Sequence, residues 1–145
     1  MANWILRRAD HGDADDLAAC IDAAYARYAA RITDLPPVSA NCAEEIAKHQ
    51  VWVAEIQNEI AGGLVMIPED GFMLIANVAV HPDHMGAGLG RALIALAETE
   101  SVDQGFRRMR LTTHVEMPEN VLFYEHLGWE QDHRHGNKIS MIKTT

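Results

Sequence analysis

Asn77-Val78-Ala79-Val80-His81-Pro82-Asp83-His84-Met85-Gly86-Ala87-Gly88-Leu89-Gly90-Arg91 is the stretch on which the reading of this chain turns. An apolar run meets a proline. A loop with glycine at every second position follows, and Leu89 then opens an apolar stripe at helical spacing. Gly86, Gly88 and Gly90 have no side chains, so the backbone can turn sharply and a ligand can approach the amides. The first amides of a helix have no partner within it. A glycine loop that feeds such a helix is a place to hold an anion, commonly a phosphate.

The spacing narrows the kind of phosphate site. No Lys and no Ser or Thr directly follows the glycines, which argues against a P-loop NTPase. Gly86-Ala87-Gly88-Leu89-Gly90 is not the Gly-x-Gly-x-x-Gly of a dinucleotide site, and no early strand–helix–strand unit surrounds it.

Outward from the loop, the pattern predicts strands over residues 51–56, 60–67 and 72–80, joined by Gln57-Asn58-Glu59 and by a turn at Pro68-Glu69-Asp70-Gly71. These form an antiparallel meander. Residues 72–80 are nearly all apolar, which predicts a central strand. Gly62-Gly63 suggests a bulge or a close approach. Upstream, residues 4–8 read as a strand and 13–30 as a helix, with Ala14, Leu17, Ala18, Ile21, Tyr25 and Tyr28 on one stripe and Asp13 as its N-cap. Pro36-Pro37 makes residues 33–40 a loop or extended segment, and Asn41 is placed to cap a short helix over 42–49. Downstream come a helix over 89–102 stopped by Gly105, a strand over 108–115 and a helix over 118–127 with Pro118 in its first turn. Two closing strands, 129–134 and 138–143, flank His135-Gly136-Asn137. A strand–helix–strand step from Val80 to Arg108 makes a right-handed crossover if its strands are parallel. The order describes an α+β chain, read as one domain over residues 1–145.

Composition sets bounds on function. Twelve Lys and Arg against twenty-one Asp and Glu give a net charge of −9. That argues against nucleic-acid binding, which needs a basic footprint, and is compatible with a cationic substrate. No apolar run approaches the ~20 residues of a membrane span, and no signal-peptide layout begins the chain, so a cytoplasmic protein is expected. Cys20 and Cys42 lack metal spacing and read as reduced packing residues. His81/His84 and His133/His135 lack zinc partners, so no metal is expected. The oligomeric state is left open, a homodimer included.

Val78-Ala79-Val80-His81-Pro82 followed by Gly86-Ala87-Gly88-Leu89-Gly90-Arg91-Ala92-Leu93 resembles the acetyl-CoA motif of the GNAT superfamily of N-acetyltransferases, Gln/Arg-x-x-Gly-x-Gly/Ala. Thr113-His114-Val115-Glu116-Met117-Pro118-Glu119-Asn120 and Tyr124-Glu125-His126-Leu127-Gly128-Trp129 are similar to the family's closing segment, Glu-Asn-x-x-x-Tyr-x-x-x-Gly-aromatic. The resemblance implies a three-layer α/β fold with a mixed, mostly antiparallel central sheet of about seven strands and helices on both faces. It implies direct transfer of an acetyl group from acetyl-CoA to a primary amine of a small molecule or peptide. The alternative is an acyl-CoA-binding regulatory module of the same fold without turnover. One position departs: Met85 stands where the family has Arg or Gln, so the pyrophosphate would rely on backbone amides.

The resemblance also implies roles. Val78, Ala79 and Val80 would polarise the thioester carbonyl through their N–H groups and pair with the pantetheine arm. Met85, Gly86, Ala87, Gly88, Leu89, Gly90 and Arg91 would form the pyrophosphate cradle, with Asn120 a further contact. Tyr124 would be the general acid for the leaving thiolate, the alternative being a packing residue with a satisfied hydroxyl. Tyr25, Tyr28 and Arg31 lie where the family shapes its acceptor pocket. A Lys-type amine with pKa ~10.4 costs roughly 4–5 kcal/mol to deprotonate at pH 7, so a base or a water chain is wanted. His114 is the named candidate base. Glu55, Asn77 as a water holder, and Glu116 are further candidates, and Glu116 has an alternative as a charge at a helix N-terminus.

Overall fold

The computed structural model describes residues 4–29, 32 and 40–145. Seven strands form one sheet in the order β1-β2-β3-β4-β5-β7-β6. They are β1 (Ile5–Arg8), β2 (Gln50–Ile56), β3 (Glu59–Glu69), β4 (Phe72–Val80), β5 (Arg108–His114), β6 (Glu130–His135) and β7 (Lys138–Thr144). The helices are α1 (Ala14–Ala29), α2 (Cys42–Lys48), α3 (Leu89–Asp103) and α4 (Pro118–His126). Neighbours pair antiparallel except β4 and β5, which are parallel. The element order agrees with the sequence reading, and β4 lies at the middle of the sheet.

Two glycines on β3 set the thickness of the layers. A Cβ on Gly63 would stand 2.5 Å from Leu17 Cδ1, so its absence lets α1 settle on one face. A Cβ on Gly62 would meet the Ala79 carbonyl oxygen at 3.0 Å and Leu93 at 3.2 Å, so α3 settles on the other. One core lies between the sheet and α3 and α4, with Leu64, Met66, Met73, Leu93, Met109, Trp129 and Met141 buried in it. A smaller core, with Leu17, Ile21, Val51, Val53 and Val65, lies under α1 and α2. The suspected bulge is also present: Ala54 faces Gly62 and Glu55 faces Ile60, which leaves Ala61 as the extra residue.

The start of α1 differs from the expectation. Asp13 belongs to a preceding turn of 3-10 helix, His11–Asp13, capped by Asp10. The Asp10 carboxylate accepts from Gly12 N–H at 2.9 Å, and the Asp13 carboxylate accepts from Asp10 N–H at 2.8 Å. Arg7 donates twice more to Asp13, at 2.8 and 3.0 Å, which holds its carboxyl below the ordinary range. Asn41 precedes α2, but its side chain makes no capping bond, and the helix ends at Lys48 rather than His49. Arg31 and residues 33–39 of the expected loop lie outside the described residues. β6 begins one residue late because Trp129 is buried in the core, and β7, the last strand in the chain, inserts between β5 and β6. α3 stops as expected: Gly105 has φ +87°, and Phe106 N–H reaches back to the Ser101 carbonyl at 2.8 Å.

Candidate functional site

β4 pairs with β5 only at Met73↔Met109 and Leu74↔Arg110. On its other side β4 pairs with β3 as far as Val80, with a register shift where Val65 faces Asn77 and Met66 faces Ile75. Ala76 is therefore the extra residue of a bulge, and a bulge bends and twists its strand. β5 is held along its whole length by β7. β4 and β5 thus diverge into a wedge, and part of the main chain beyond Leu74 faces the gap without a strand partner.

The wedge opens into a cleft of about 760 Å³. Val78, Ala79 and Val80 form its β4 wall, and Leu111 to His114 form its β5 wall. At one end lie Met85, Gly86, Gly88, Leu89, Gly90 and Arg91. Gly86 and Gly88 have φ of +83° and +88°, left-handed geometry that favours glycine. Gly88 is the N-cap of α3 and gives it no side-chain cap. The first helical bond there runs from Ala92 N–H to the Gly88 carbonyl at 3.0 Å. The amides of Leu89, Gly90 and Arg91 are the uncapped donors of the first turn, which holds no acidic residue. Such an end fits an anion. Ala87 is exposed and is not among the residues lining the cleft. Met85 is 49% exposed at the rim.

α4 supplies Asn120, Phe123 and Tyr124 to the opposite wall. The Tyr124 ring lies edge-on to Phe123 and Trp129, at centroid distances of 5.3 and 5.9 Å. Burial, with Tyr25 and Tyr28 nearby, pushes its hydroxyl above the ordinary tyrosine range, so it stays protonated. Tyr25 and Tyr28 also line the cleft, their rings 6.2 Å apart. The Tyr25 hydroxyl donates to Asn77 Oδ1 at 3.1 Å. The structure therefore brings residues of α1, β4 and α4 to one place.

The candidate bases separate. Glu55 is engaged by Arg7 Nε at 3.3 Å and is not part of the cleft lining. Glu116 is also off the lining, and its backbone N–H donates to His114 Nδ1 at 3.1 Å. His114 is buried and lines the cleft. The Glu116 amide thus engages its Nδ1. Asn77 is buried, lines the cleft, and is fixed by Tyr25. His81 Nδ1 accepts the Asp83 amide at 3.1 Å, which makes it a turn cap.

The sequence reading missed Thr113, Phe123 and Lys138 as lining residues. Thr113 Oγ1 is buried without a hydrogen-bond partner among the described residues. The inward side of residues 108–115 follows from strand alternation, which was a usable signal for Thr113. Lys138 reaches the cleft because β7 lies beside β5, which no local pattern reveals.

A family model described as an acetyltransferase (GNAT) domain matches residues 47–131. Over 86 residues the chain is 31% identical to the uncharacterized N-acetyltransferase YjgM of Escherichia coli K12, covering 57% of this chain and 52% of that protein. The chain spans about half the length of that relative. The PaiA N-acetyltransferase of Thermoplasma acidophilum, solved in complex with coenzyme A, superposes with a TM-score of 0.90 at 15% identity, over 99% of this chain and all of that one. The ribosomal-protein-S18-alanine N-acetyltransferase of Escherichia coli superposes with a TM-score of 0.76 at 17% identity, over 98% of this chain and 94% of its own. At such identities the likeness to the solved structures is one of fold. Among the described residues no helix is long and apolar enough to cross a membrane.

Proposed function

This chain belongs to the GNAT family of acetyltransferases, and from that premise we propose that it moves the acetyl group of acetyl-CoA directly to a primary amine of a small molecule or peptide. The wedge between β4 and β5, running from the uncapped end of α3 to Tyr124, is the observation that carries the reading. It favours turnover over a purely regulatory acyl-CoA module, because a buried, protonated hydroxyl faces the same gap as the anion site.

The residues fit the cofactor. The amides of Leu89, Gly90 and Arg91 would hold the pyrophosphate, with Arg91 the nearby cation in place of a side chain at Met85. The main chain of Val78 to Val80 would pair with the amide-rich arm and donate to the carbonyl oxygen as it gains charge. When bound, acetyl-CoA supplies an activated thioester. Asn120 would contact it from α4.

Proton handling follows from the side chains. The amine must reach its neutral form, at a cost of roughly 4–5 kcal/mol at pH 7. With His114 Nδ1 engaged by the Glu116 amide, a water held by Asn77 is the proton's way out. Tyr124 donates toward the leaving sulfur. A phenol raised above pKa ~10 does not permanently surrender its proton to a thiolate of pKa ~8.5, so the sulfur's proton comes finally from the attacking nitrogen. Tyr25 and Tyr28 line the acceptor side.

The test pairs a thermal-shift titration with acetyl-CoA and a screen of amines that detects released CoA thiol. A rise in Tm together with thiol release from at least one amine is expected. No shift at millimolar acetyl-CoA overturns the reading, and a shift without acetylation of any amine returns the chain to the regulatory alternative.

A further inference from the structure

A second cavity, of about 540 Å³, lies on the α1/α2 face of the sheet. Glu44, Glu45, Lys48 and His49 form one wall, and Ala76 and Asn77 form the other. Ala76 and Asn77 also line the acetyl-CoA cleft. The β4 bulge is therefore a wall shared by two cavities, one lined by α1, α3 and α4 and one lined by α2.

We propose that the second cavity receives the acceptor, and that the acceptor is an aliphatic amine bearing a second positive charge, held at its far end by the Glu45 carboxylate. This rests on the acetyl-transfer reading above. An amine entering from the α2 side would meet the shared wall of Ala76 and Asn77 away from the glycine loop that lines the larger cleft. Its attacking nitrogen arrives at Asn77, which is 8% exposed. Tyr25 satisfies the Asn77 oxygen, while among the described residues Nδ2 has no hydrogen-bond partner. That N–H suits a neutral amine nitrogen or the water that takes its proton.

The charges in the cavity favour a cation over an anion. Glu44 is committed to Lys48 at 2.5 Å, so these two cancel. Glu45 is half-buried and makes no ion pair among the described residues, with Cys42, Glu44, Lys48 and His49 the described ionisable groups around it. Burial raises its carboxyl above the ordinary range, partly offset by His49, and among the described residues no cation is bonded to it. An incoming ammonium supplies one. In the reaction the near ammonium loses a proton to water at Asn77. Its nitrogen forms the amide bond as the C–S bond breaks, and its second proton ends on the CoA sulfur. The far ammonium keeps its charge throughout.

The experiment compares α,ω-diaminoalkanes with monoamines of the same chain length, by thiol release and by thermal shift, in the parent and in Glu45→Gln. The parent is expected to favour the diamine by about five- to tenfold in kcat/KM, and the preference collapses toward one in Glu45→Gln. The diamine raises the Tm of the parent without cofactor but not that of Glu45→Gln, while acetyl-CoA still shifts both. No preference in the parent, or one that survives in Glu45→Gln, overturns the assignment of this cavity. If acetyl-CoA shifts Tm and monoamines are acetylated, only this inference falls. If acetyl-CoA does not bind, the acetyl-transfer reading falls and this one with it.

Discussion

On its β3 side, β4 is matched from Phe72 to Val80 with one interruption at Ala76, whereas on its β5 side it is matched only at Met73 and Leu74. The first side is built for closeness. Gly62 and Gly63 strip the neighbouring strand of side chains so that α1 and α3 can press on its two faces. The second side is built for a gap, and its lining combines main-chain groups, the uncapped end of α3 and a tyrosine. Each arrangement depends on the other. An open seam in the middle of a sheet forfeits backbone hydrogen bonds and buried apolar contacts. The well-registered ribbons β1 to β4 and β5 to β6 hold the two halves at a defined separation.

The largest expected effect breaks the open side without touching the closed one. Tyr124→Phe removes one hydroxyl and keeps the ring against Phe123 and Trp129. It should lower kcat about 100-fold, roughly 2.7 kcal/mol, with the acetyl-CoA thermal shift unchanged. An unaltered kcat would make Tyr124 a packing residue.

The next effect falls on the closed side. Gly63→Val places carbon where Leu17 Cδ1 stands 2.5 Å from the Cβ position. Urea unfolding should show a loss of about 1–3 kcal/mol, the cost of an overfilled core. A variant as stable as the parent would mean that α1 can lift away freely, and that the closeness is incidental.

The smallest effect sharpens the open side. Met85→Arg restores a cation at an exposed rim position and should tighten acetyl-CoA by about 0.5–1 kcal/mol, two- to fivefold in Kd, less so as salt rises. Unchanged affinity would show that the amides of α3 and Arg91 already saturate the phosphates.

Much of this was legible along the chain. The three strands of the meander, the glycine loop and the helices after it each announce themselves within ten to fifteen residues, because capping, turn conformation and amphipathic period are local effects. The paired glycines at 62 and 63 signalled a bulge or a close approach, and the structure contains both. Asp13 was misread because the capping box that it completes with Asp10, and its bonds to Arg7, form one residue before the apolar stripe begins. The role of His114 is hard to read along the chain for a similar reason. A histidine's usefulness as a base depends on which nitrogen is already engaged, and here that is settled by the amide of Glu116.

The sequence by itself determined the elements, their order, the glycine loop that opens α3 and the family resemblance, since these rest on residue types at short, fixed spacings. Only the tertiary structure decided that β7 inserts beside β5, that Ala76 bulges and opens the wedge, and that α1 brings Tyr25 and Tyr28 to Asn77 and Tyr124. Nor does any local pattern show that the wedge shares Ala76 and Asn77 with a second, partly acidic cavity. Each of these is a contact between segments far apart in the chain. Such contacts are selected by how whole faces pack, and neighbouring residues carry little trace of that choice.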